Sequence, residues 1–468
     1  MCIRDRRRTE HPAIESAESL LKDFGRAVLP RHPKQIGLAE SVRNVLADQK
    51  RQMKILLSTA IFFCGLFSTI NSVFGQTWTP TGAQTNSWGA ITASADGRTF
   101  AALVVEQWNV VWVSTNAGVT WTSNNIPGVS PVGRVETVAI SAYGDKMAAV
   151  ALYAGEIYTS TNYGATWASN SVPAGPWFRI ASSADGTRLV ALGGGLIGSG
   201  PIYVSADSGM TWTPANAPVT NWVSVASSAN GSNWVAAVET QSPASGSIYT
   251  STDCGLDWTL MTNAPDLQYL SIASSADGTK FIAAAAGVSG QGGFIYTSTH
   301  SGAIWFSNAV PNDDWISVAS SADGCTLATV SILTENGGYT GHIYTSTNSG
   351  MTWISNSVAN QSWDGIASSA DGGTLVAAGT TSWGSSSGGI YILQTVPAPE
   401  LNISPANSNL ALSWLIPSTN FVLQQNVDLT TTDWVTLTNT PTLNFANLQN
   451  QVMLSPSNSS GFFRLVTQ

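Results

Sequence analysis

The sequence is poor in charged residues. Asp, Glu, Lys and Arg make up 10% of the 468 residues, whereas about a quarter is usual in soluble proteins. Disordered chains are rich in charged side chains and poor in apolar ones. A chain with so little charge and 43% hydrophobic residues is therefore expected to fold around a large core.

Cysteine and basic residues are also scarce. Of four cysteines, only Cys254 and Cys325 follow residue 75, and we expect no disulfide between them. After Lys54 the chain carries 7 basic and 21 acidic residues. Such an acidic body repels phosphate, which excludes a nucleic-acid partner.

Glycine and tryptophan are abundant instead, with 43 and 18 residues. Glycine and other turn residues separate short runs rich in β-branched and aromatic side chains. This alternation predicts an all-β protein of short strands joined by tight turns.

A secretion signal is predicted at residues 53–75. Lys54 is followed by the apolar run Ile55–Phe67 and by a small residue, Gly75, at the expected cleavage position. The mature protein is then expected to be secreted, periplasmic or on the cell surface, without membrane insertion. The alternative is an uncleaved signal anchor, since residues 55–74 are long enough to span a bilayer.

Residues 1–52 differ from the rest of the chain. They hold 11 of the 19 basic residues and precede the signal, where such a segment has no place. We predict that they are a spurious or non-native extension and that Met53 is the true start. The alternative is a cytosolic tail with an amphipathic helix at 14–28.

The rest of the chain repeats. The pattern Ser-x-Asx-x-Gly-x-x-Trp occurs six times, with His in place of Asx in the fifth copy, and the Trp-to-Trp steps are 46, 45, 46, 47 and 48 residues. A second pattern, Ser-Ala-Asx-Gly, occurs six times and once more in a degenerate copy, Ser141–Gly144. The chain therefore contains seven repeats.

Each repeat holds four short strand-like runs bounded by turn residues. Repeats of 45 to 48 residues with four strands each predict the blades of a seven-bladed β-propeller, here spanning 76–397. The seventh repeat stops at its third run, Ile390–Ile392, and Thr77–Thr79 matches the missing fourth. We therefore predict that an N-terminal strand closes the last blade.

The first pattern resembles the Asp-box, or BNR repeat, of sialidase-like and sortilin-like propellers. The Asx side chain is expected to cap the turn, and the Trp to pack across the sheet. The resemblance also implies a functional face opposite the Asp-boxes. Four of six copies lack a carboxylate, so we predict a structural role for these positions, which are Asn116, Asn162, Asp207, Asp253, His300 and Asn348.

Residues 398–468 are predicted to form a second, smaller domain. They follow a proline linker, Val396–Pro399, and show alternating strand-like runs at sandwich spacing. The segment looks like the C-terminal β-modules of exported bacterial proteins. Attachment, sorting and carbohydrate contact stay open as its role.

The resemblance implies a test for sialidase activity, which needs three arginines around the substrate carboxylate. The propeller has four arginines, but Arg98 and Arg188 directly follow turns on the Asp-box face. Only Arg134 and Arg179 remain for the other face. The three-arginine clamp cannot be assembled, so we expect no sialidase activity.

Other glycosidic chemistry needs only two carboxylates. The candidate catalytic residues are the adjacent pair Asp313 and Asp314, whose like charges would raise a pKa, and Glu136. The alternative for the pair is a solvated loop. The two mature histidines, His300 and His342, are too few for a metal site, and no metal or cofactor is predicted.

One repeated position opens the first strand of each repeat. It is aromatic in six of seven copies, which are Trp88, Trp177, Trp222, Tyr269, Trp315 and Trp363. These residues form either a ring of stacking surfaces for a ligand, with Arg134, Arg179 and Asp364 as polar contacts, or packing wedges between blades. A residue repeated in every unit usually serves the unit.

The sequence thus predicts an exported, non-catalytic binding propeller, acting as a monomer, whose glycan or protein ligand binds opposite the Asp-boxes. One alternative is a sialidase-superfamily-like glycoside hydrolase or lyase that uses a carboxylate pair. The other is a protein-assembly or sorting propeller.

Overall fold

The computed structural model describes residues 77–468 apart from short gaps, so the predicted N-terminal extension and signal lie outside the described residues. The gaps are 106, 130–132, 153–154, 171, 173–174, 195–197, 240–245, 288–291, 312, 333, 336–337, 359–360, 382–386, 396–399, 408, 417–420, 456–460 and 468. The described residues form strands and turns and no helix. None of them therefore belongs to a helix long and apolar enough to cross a membrane.

Residues 79–394 form thirty strands. In chain order they are β1 (Thr79–Pro80), β2 (Trp88–Ala93), β3 (Phe100–Val104), β4 (Val110–Ser114), β5 (Thr122–Asn125), β6 (Arg134–Ile140), β7 (Met147–Leu152), β8 (Glu156–Ser160), β9 (Ala168–Asn170), β10 (Trp177–Ser182), β11 (Leu189–Gly193), β12 (Ile202–Ser205), β13 (Thr213–Pro214), β14 (Trp222–Ser227), β15 (Trp234–Val238), β16 (Ser247–Ser251), β17 (Thr259–Leu260), β18 (Tyr269–Ser274), β19 (Phe281–Ala285), β20 (Phe294–Thr299), β21 (Ile304–Ser307), β22 (Asp314–Ser320), β23 (Leu327–Ile332), β24 (Thr334–Glu335), β25 (Gly338–Tyr339), β26 (Ile343–Ser346), β27 (Ile354–Asn356), β28 (Ser362–Ser368), β29 (Thr374–Thr380) and β30 (Ile390–Gln394).

These strands build a seven-bladed β-propeller, as the sequence predicts. Each of the seven sheets has four antiparallel strands. Blades 1 to 5 are β2–β5, β6–β9, β10–β13, β14–β17 and β18–β21; blade 6 is β22, β23, β26 and β27, with the ribbon β24–β25 inserted; blade 7 is β28, β29, β30 and β1. The first strand of each blade contacts those of its neighbours, and these contacts form a closed ring around a central channel.

The ring closes through the N-terminal strand, as predicted, although two residues later than expected. Thr79 pairs with Ile392 and Pro80 with Tyr391, so the strand is Thr79–Pro80 rather than Thr77–Thr79. The N-terminal strand completes the sheet of blade 7 to four strands. Because the start and the end of the propeller chain share this blade, no sheet edge is left open there.

Both repeated patterns lie at one end of the propeller, which we call the Asx-turn face. In each blade the Ser-Ala-Asx-Gly turn joins the first two strands, and its backbone accepts a hydrogen bond from the turn after the third strand. In blade 1, for example, the Ala117 N–H donates to the Arg98 carbonyl at 2.8 Å. The starts of the first strands therefore lie at the opposite face.

The alanine of the second pattern links each blade to the next. The Ala142 N–H donates to the Ala184 carbonyl at 2.7 Å, Ala184 donates to Ala229 at 2.8 Å, and the series continues through Ala276, Ala322, Ala370 and Ala95, after which Asp96 donates back to Ala142 at 3.4 Å. Seven strands can approach this closely only where the side chain is small. This ring explains why the pattern recurs once in every blade.

The core lies between the blades. The second strand of each blade is buried throughout its first five residues, as in Phe100–Val104 and Leu189–Gly193. Apolar side chains on both of its faces contact the neighbouring sheets, which matches its unbroken hydrophobic sequence. Hydrophobic clusters consequently bridge successive blades all round the ring.

The C-terminal segment forms two sheets, in agreement with the predicted sandwich-like domain. Its strands are β31 (Asn402–Ala406), β32 (Asn409–Leu415), β33 (Phe421–Asn426), β34 (Val435–Thr436), β35 (Thr442–Asn444), β36 (Gln449–Leu454) and β37 (Phe462–Thr467). The sheets are ordered β31-β32-β36-β35 and β34-β33-β37. A cluster around Leu412, Trp414, Leu423 and Val452 forms their core.

Candidate functional site

The Asx side chains of the first pattern serve the turns that contain them. The Asn116 carboxamide oxygen accepts hydrogen bonds from the Ser114 hydroxyl at 3.0 Å and the Thr120 N–H at 2.9 Å. Asn162, Asp207, Asp253 and Asn348 accept the equivalent pair. His300 instead has Nδ1 3.0 Å from the Thr299 hydroxyl. Five of the six side chains thus cap their turns, whereas His300 does not make the equivalent pair of contacts.

The six ring aromatics are completely buried. Trp88, Trp177, Trp222, Tyr269, Trp315 and Trp363 are all 0% exposed. Most meet an aromatic of the third strand of their own blade edge to face, as Trp315 meets Tyr344 with 5.5 Å between ring centroids. None presents a face to a ligand, so the geometry corrects the stacking-surface interpretation and fits the packing-wedge alternative.

Asp313 and Asp314 do not form a shared acidic pocket. Asp313 is 4% exposed, and its carboxylate accepts hydrogen bonds from the Ser331 hydroxyl at 2.6 Å and the Asp314 N–H at 2.9 Å. The Asp314 side chain is exposed. Strand β22 begins at Asp314, so one carboxylate is buried just before the strand and the other is exposed on its first residue. The expected close pair is therefore absent here.

Asp313 has a partner that sequence reasoning missed. His342 Nδ1 lies 2.8 Å from the Asp313 carboxylate, and the imidazole is about half exposed. This contact fixes the position of the Nδ1 side of the ring. His342 is brought to Asp313 by the packing of β23 between β22 and β26, which spacing in the sequence does not reveal. No metal-binding group of three or more side chains occurs among the described residues.

A charged cluster occupies the channel mouth at the opposite face. Arg134 Nε and Nη2 lie 2.6 and 2.5 Å from Glu136 Oε1. Arg179 on the next blade places its guanidinium 3.8 Å from the centre of the Phe178 ring and donates through Nη1 to the Phe178 carbonyl at 3.1 Å. Burial lowers the pKa of Arg179 to about 10, against the opposing effect of Glu136, so the side chain stays charged at neutral pH.

The cluster carries spare binding capacity. Arg179 donates to Thr137 and Phe178 through Nη1 alone, at 3.4 and 3.1 Å, and no described residue pairs with its Nε or Nη2. A guanidinium has five N–H donors. The two arginines and Glu136 together have a net charge of +1, although the protein as a whole is acidic.

An exposed tryptophan borders this cluster. Trp108, in the loop between the second and third strands of blade 1, is 49% exposed, and its carbonyl accepts the Val135 N–H at 2.8 Å. It therefore lies next to Arg134 at the rim. One sequence feature could have identified this residue: Trp108 occupies none of the repeated tryptophan positions.

Asp364 lies at the same end of the channel, on blade 7. It is the unpaired residue of a bulge, since Trp363 pairs with Gly379 and Gly365 with Ala378. Its Oδ2 is buried and has no hydrogen-bond partner among the described residues. Burial alone raises the pKa of this carboxyl to about 7. Blade 1 separates it from the arginine cluster.

A second acid at this end, Glu156, has a hydrogen-bond partner on its own strand. Glu156 accepts a short hydrogen bond from the Tyr158 hydroxyl two residues along the same strand. Tyr158 is 0% exposed, and its pKa is raised by burial and by Glu156. The tyrosine therefore stays protonated and has no access to a substrate.

Comparisons with known proteins support the fold. No protein-family profile matches the chain, and no curated protein matches it in sequence. Among solved structures it is similar to the GH74 xyloglucanase from Xanthomonas campestris, with 16% identity over 72% of this chain and 59% of that one and a TM-score of 0.52. It thus spans about three fifths of that enzyme's length.

Two further structures are similar over nearly their whole length. Hydrazine synthase from Kuenenia stuttgartiensis has 12% identity and a TM-score of 0.51, and U3-55K has 10% identity and a TM-score of 0.52; each match covers 68% of this chain and 98% of the other. At such identities the likeness shows architecture alone. The chain is a multi-bladed β-propeller of four-stranded antiparallel sheets.

Proposed function

We propose that this protein is an exported, non-catalytic binding propeller, related to the Asp-box propellers, that binds a glycan bearing anionic groups at the channel mouth opposite the Asx turns. The observation that carries the proposal is the mouth cluster, defined as Trp108, Arg134, Glu136 and Arg179. An exposed indole provides a flat stacking surface for a sugar ring, and adjacent guanidinium groups bind a carboxylate or sulfate.

The placement of the other basic side chains supports this choice. Lys146 and Lys280 lie at the Asx-turn face, where each donates to a backbone carbonyl of the next blade, at 2.9 and 2.6 Å. Arg98 and Arg188 follow turns on that same face. In a body with three acidic residues for each basic one, the mouth cluster is thus the place on the propeller where an anion is favoured.

The test is binding of the purified protein to anionic and neutral polysaccharides, with new reducing ends followed in the same samples. We expect binding to the anionic polymers without cleavage. Trp108→Ala and Arg134→Ala should each weaken it at least tenfold, about 1.4 kcal/mol. Binding that depends on Arg134 should also weaken with salt.

Matched controls lie on the other face. Tyr163→Ala removes an exposed aromatic there (43% exposed) and Arg188→Ala removes a cation, and neither should change binding. An equal loss of binding in these controls, or unchanged binding in both Trp108→Ala and Arg134→Ala, would overturn the proposal.

A second candidate function, a glycoside hydrolase or lyase, is favoured by Asp364. A carboxyl with a pKa near 7 is suited to general acid catalysis. Reducing ends that appear with the parent protein and disappear in Asp364→Asn would replace the binding proposal with this one.

A further inference from the structure

A second feature of the central channel lies at the Asx-turn face. A cavity of about 160 Å³ lies there, and serine and alanine side chains of the second pattern line it from all seven blades. One lining residue comes from outside the propeller. It is Leu448, in the turn between β35 and β36 of the C-terminal domain.

Leu448 is held in an unusual backbone conformation. Its φ is 57°, in the left-handed region that bulky L-residues disfavour. The turn is fixed within its own domain, because the Asn444 side chain accepts the Ala446 N–H at 2.9 Å and the Leu448 carbonyl accepts the Ile416 N–H at 3.2 Å. Such a conformation persists where the surroundings require the side chain in that place.

The propeller has a matching irregularity in blade 2. In six blades the third residue of the Ser-Ala-Asx-Gly pattern is Asx, and its side chain accepts the hydroxyl of the pattern's serine, as Asp185 accepts Ser183 at 2.6 Å. In blade 2 that residue is Tyr143. The hydroxyl of Ser141 binds Asp145 instead, at 2.7 Å.

The displaced carboxylate keeps this turn capped and frees position 143 for an aromatic side chain. Tyr143 packs edge to face against Phe445 of the β35–β36 turn, with 6.0 Å between ring centroids and an interplanar angle of 89°. Such pairs attract beyond the area that they bury. The one degenerate copy of the pattern thus contacts the C-terminal domain through its aromatic side chain.

The geometry points to a specific, reversible dock: the turn Asn444–Gln449 seats the C-terminal domain on the Asx-turn face, Tyr143 holds Phe445, and Leu448 closes the channel at that end. The contact is small, since the two rings are still 43% and 38% exposed. A weak contact of this size is held by the high effective concentration that a short linker provides. Ligands then reach the channel from the opposite face only.

Small-angle X-ray scattering of the whole protein tests the dock. Leu448→Gly removes the closing side chain and suits the left-handed conformation, so it leaves the C-terminal domain at least as well folded. Tyr143→Asp restores the residue type of the other blades. Both variants should adopt extended states, and the maximum dimension should grow on the order of 25 Å, one diameter of the smaller domain.

Two controls separate the dock from general damage. Tyr143→Phe keeps the aromatic pair, and Val435→Asp adds a charge at an exposed position (64% exposed) in the other sheet of the C-terminal domain. Both should scatter like the parent. A parent that is already extended in solution, or unchanged scattering in Leu448→Gly and Tyr143→Asp, would overturn the inference.

Discussion

The two ends of the propeller differ in how their polar groups are used. At the Asx-turn face the same serine and Asx contacts recur from blade to blade, and the alanine backbones form a hydrogen-bonded ring. At the opposite face the polar groups differ between blades. Arg134 and Glu136 pair on blade 2, Asp313 and His342 pair on blade 6, and Asp364 has no described partner on blade 7.

This difference separates residues that maintain the fold from residues available for a ligand. A group that recurs in every blade has a role that every blade needs, which is closure of its turn or contact with its neighbour. A group found once, with unused hydrogen-bonding capacity, has no such role. The ring aromatics belong to the first class, and we propose that the mouth cluster belongs to the second.

The largest expected effect tests this division with two tryptophans. Trp315→Ala empties a fully buried site between blades and should destabilise the protein by about 3–5 kcal/mol. Trp108→Ala removes a side chain that is half exposed and should cost less than about 1 kcal/mol, while it should weaken the proposed glycan binding. Urea unfolding of both variants measures the contrast, and similar losses of stability would break it.

Asp364 should give the next largest effect, with the opposite sign. Its pKa is about 7 in the folded protein and about 4 in an unfolded chain. The folded state therefore binds more protons between these values, and stability falls as the pH rises from about 4 to 7. Asp364→Asn removes this loss and should stabilise the protein by roughly 2–4 kcal/mol at pH 8, and little at pH 4.

Unfolding midpoints of the parent and Asp364→Asn at pH 4, 6 and 8 measure this difference. Asp314→Asn is the control, because the side chain is exposed and its removal should shift stability equally little at each pH. The same pH dependence in the parent and Asp364→Asn would show that the carboxyl is hydrated or paired in solution.

A smaller effect is expected in the second repeated pattern. Ser183 is 0% exposed; its hydroxyl donates to Asp185 and accepts the Arg188 N–H at 3.0 Å. Ser183→Ala leaves these buried groups without that partner and should cost about 1–2 kcal/mol. Ser169→Ala, at an exposed position of blade 2, should leave the free energy of unfolding unchanged. An equal loss of stability in both variants would show that the effect does not come from the buried contacts of Ser183.

The smallest effect is expected for the ion pair of the mouth cluster. Arg134 is about a third exposed, and partly exposed pairs contribute about 0.2–1 kcal/mol. A double-mutant cycle of Arg134→Ala and Glu136→Gln, followed by urea unfolding, measures the coupling. A coupling well above this range would assign the pair to the fold rather than to a ligand.

Much of the architecture was predictable because each repeat could be compared with the other six. Seven copies of a turn fixed the blade count, and a fourth strand missing at one end was found at the other. The site was less predictable for the same reason. The recurrence of Trp315 and its counterparts was compatible with a binding ring or with packing wedges, and their complete burial decides for packing. Trp108 was overlooked because it occurs once.

The sequence by itself determined the strands, the turns, the seven blades and their closure, because these depend on hydrogen bonds and periodicities that are local or repeated. Only the tertiary structure decided which polar groups meet. Asp313 and His342 are 29 residues apart, and Tyr143 and Phe445 belong to different domains. It also decided that the ring aromatics are buried and that Asp364 is desolvated, since burial depends on the packing of neighbouring blades and cannot be read from one strand.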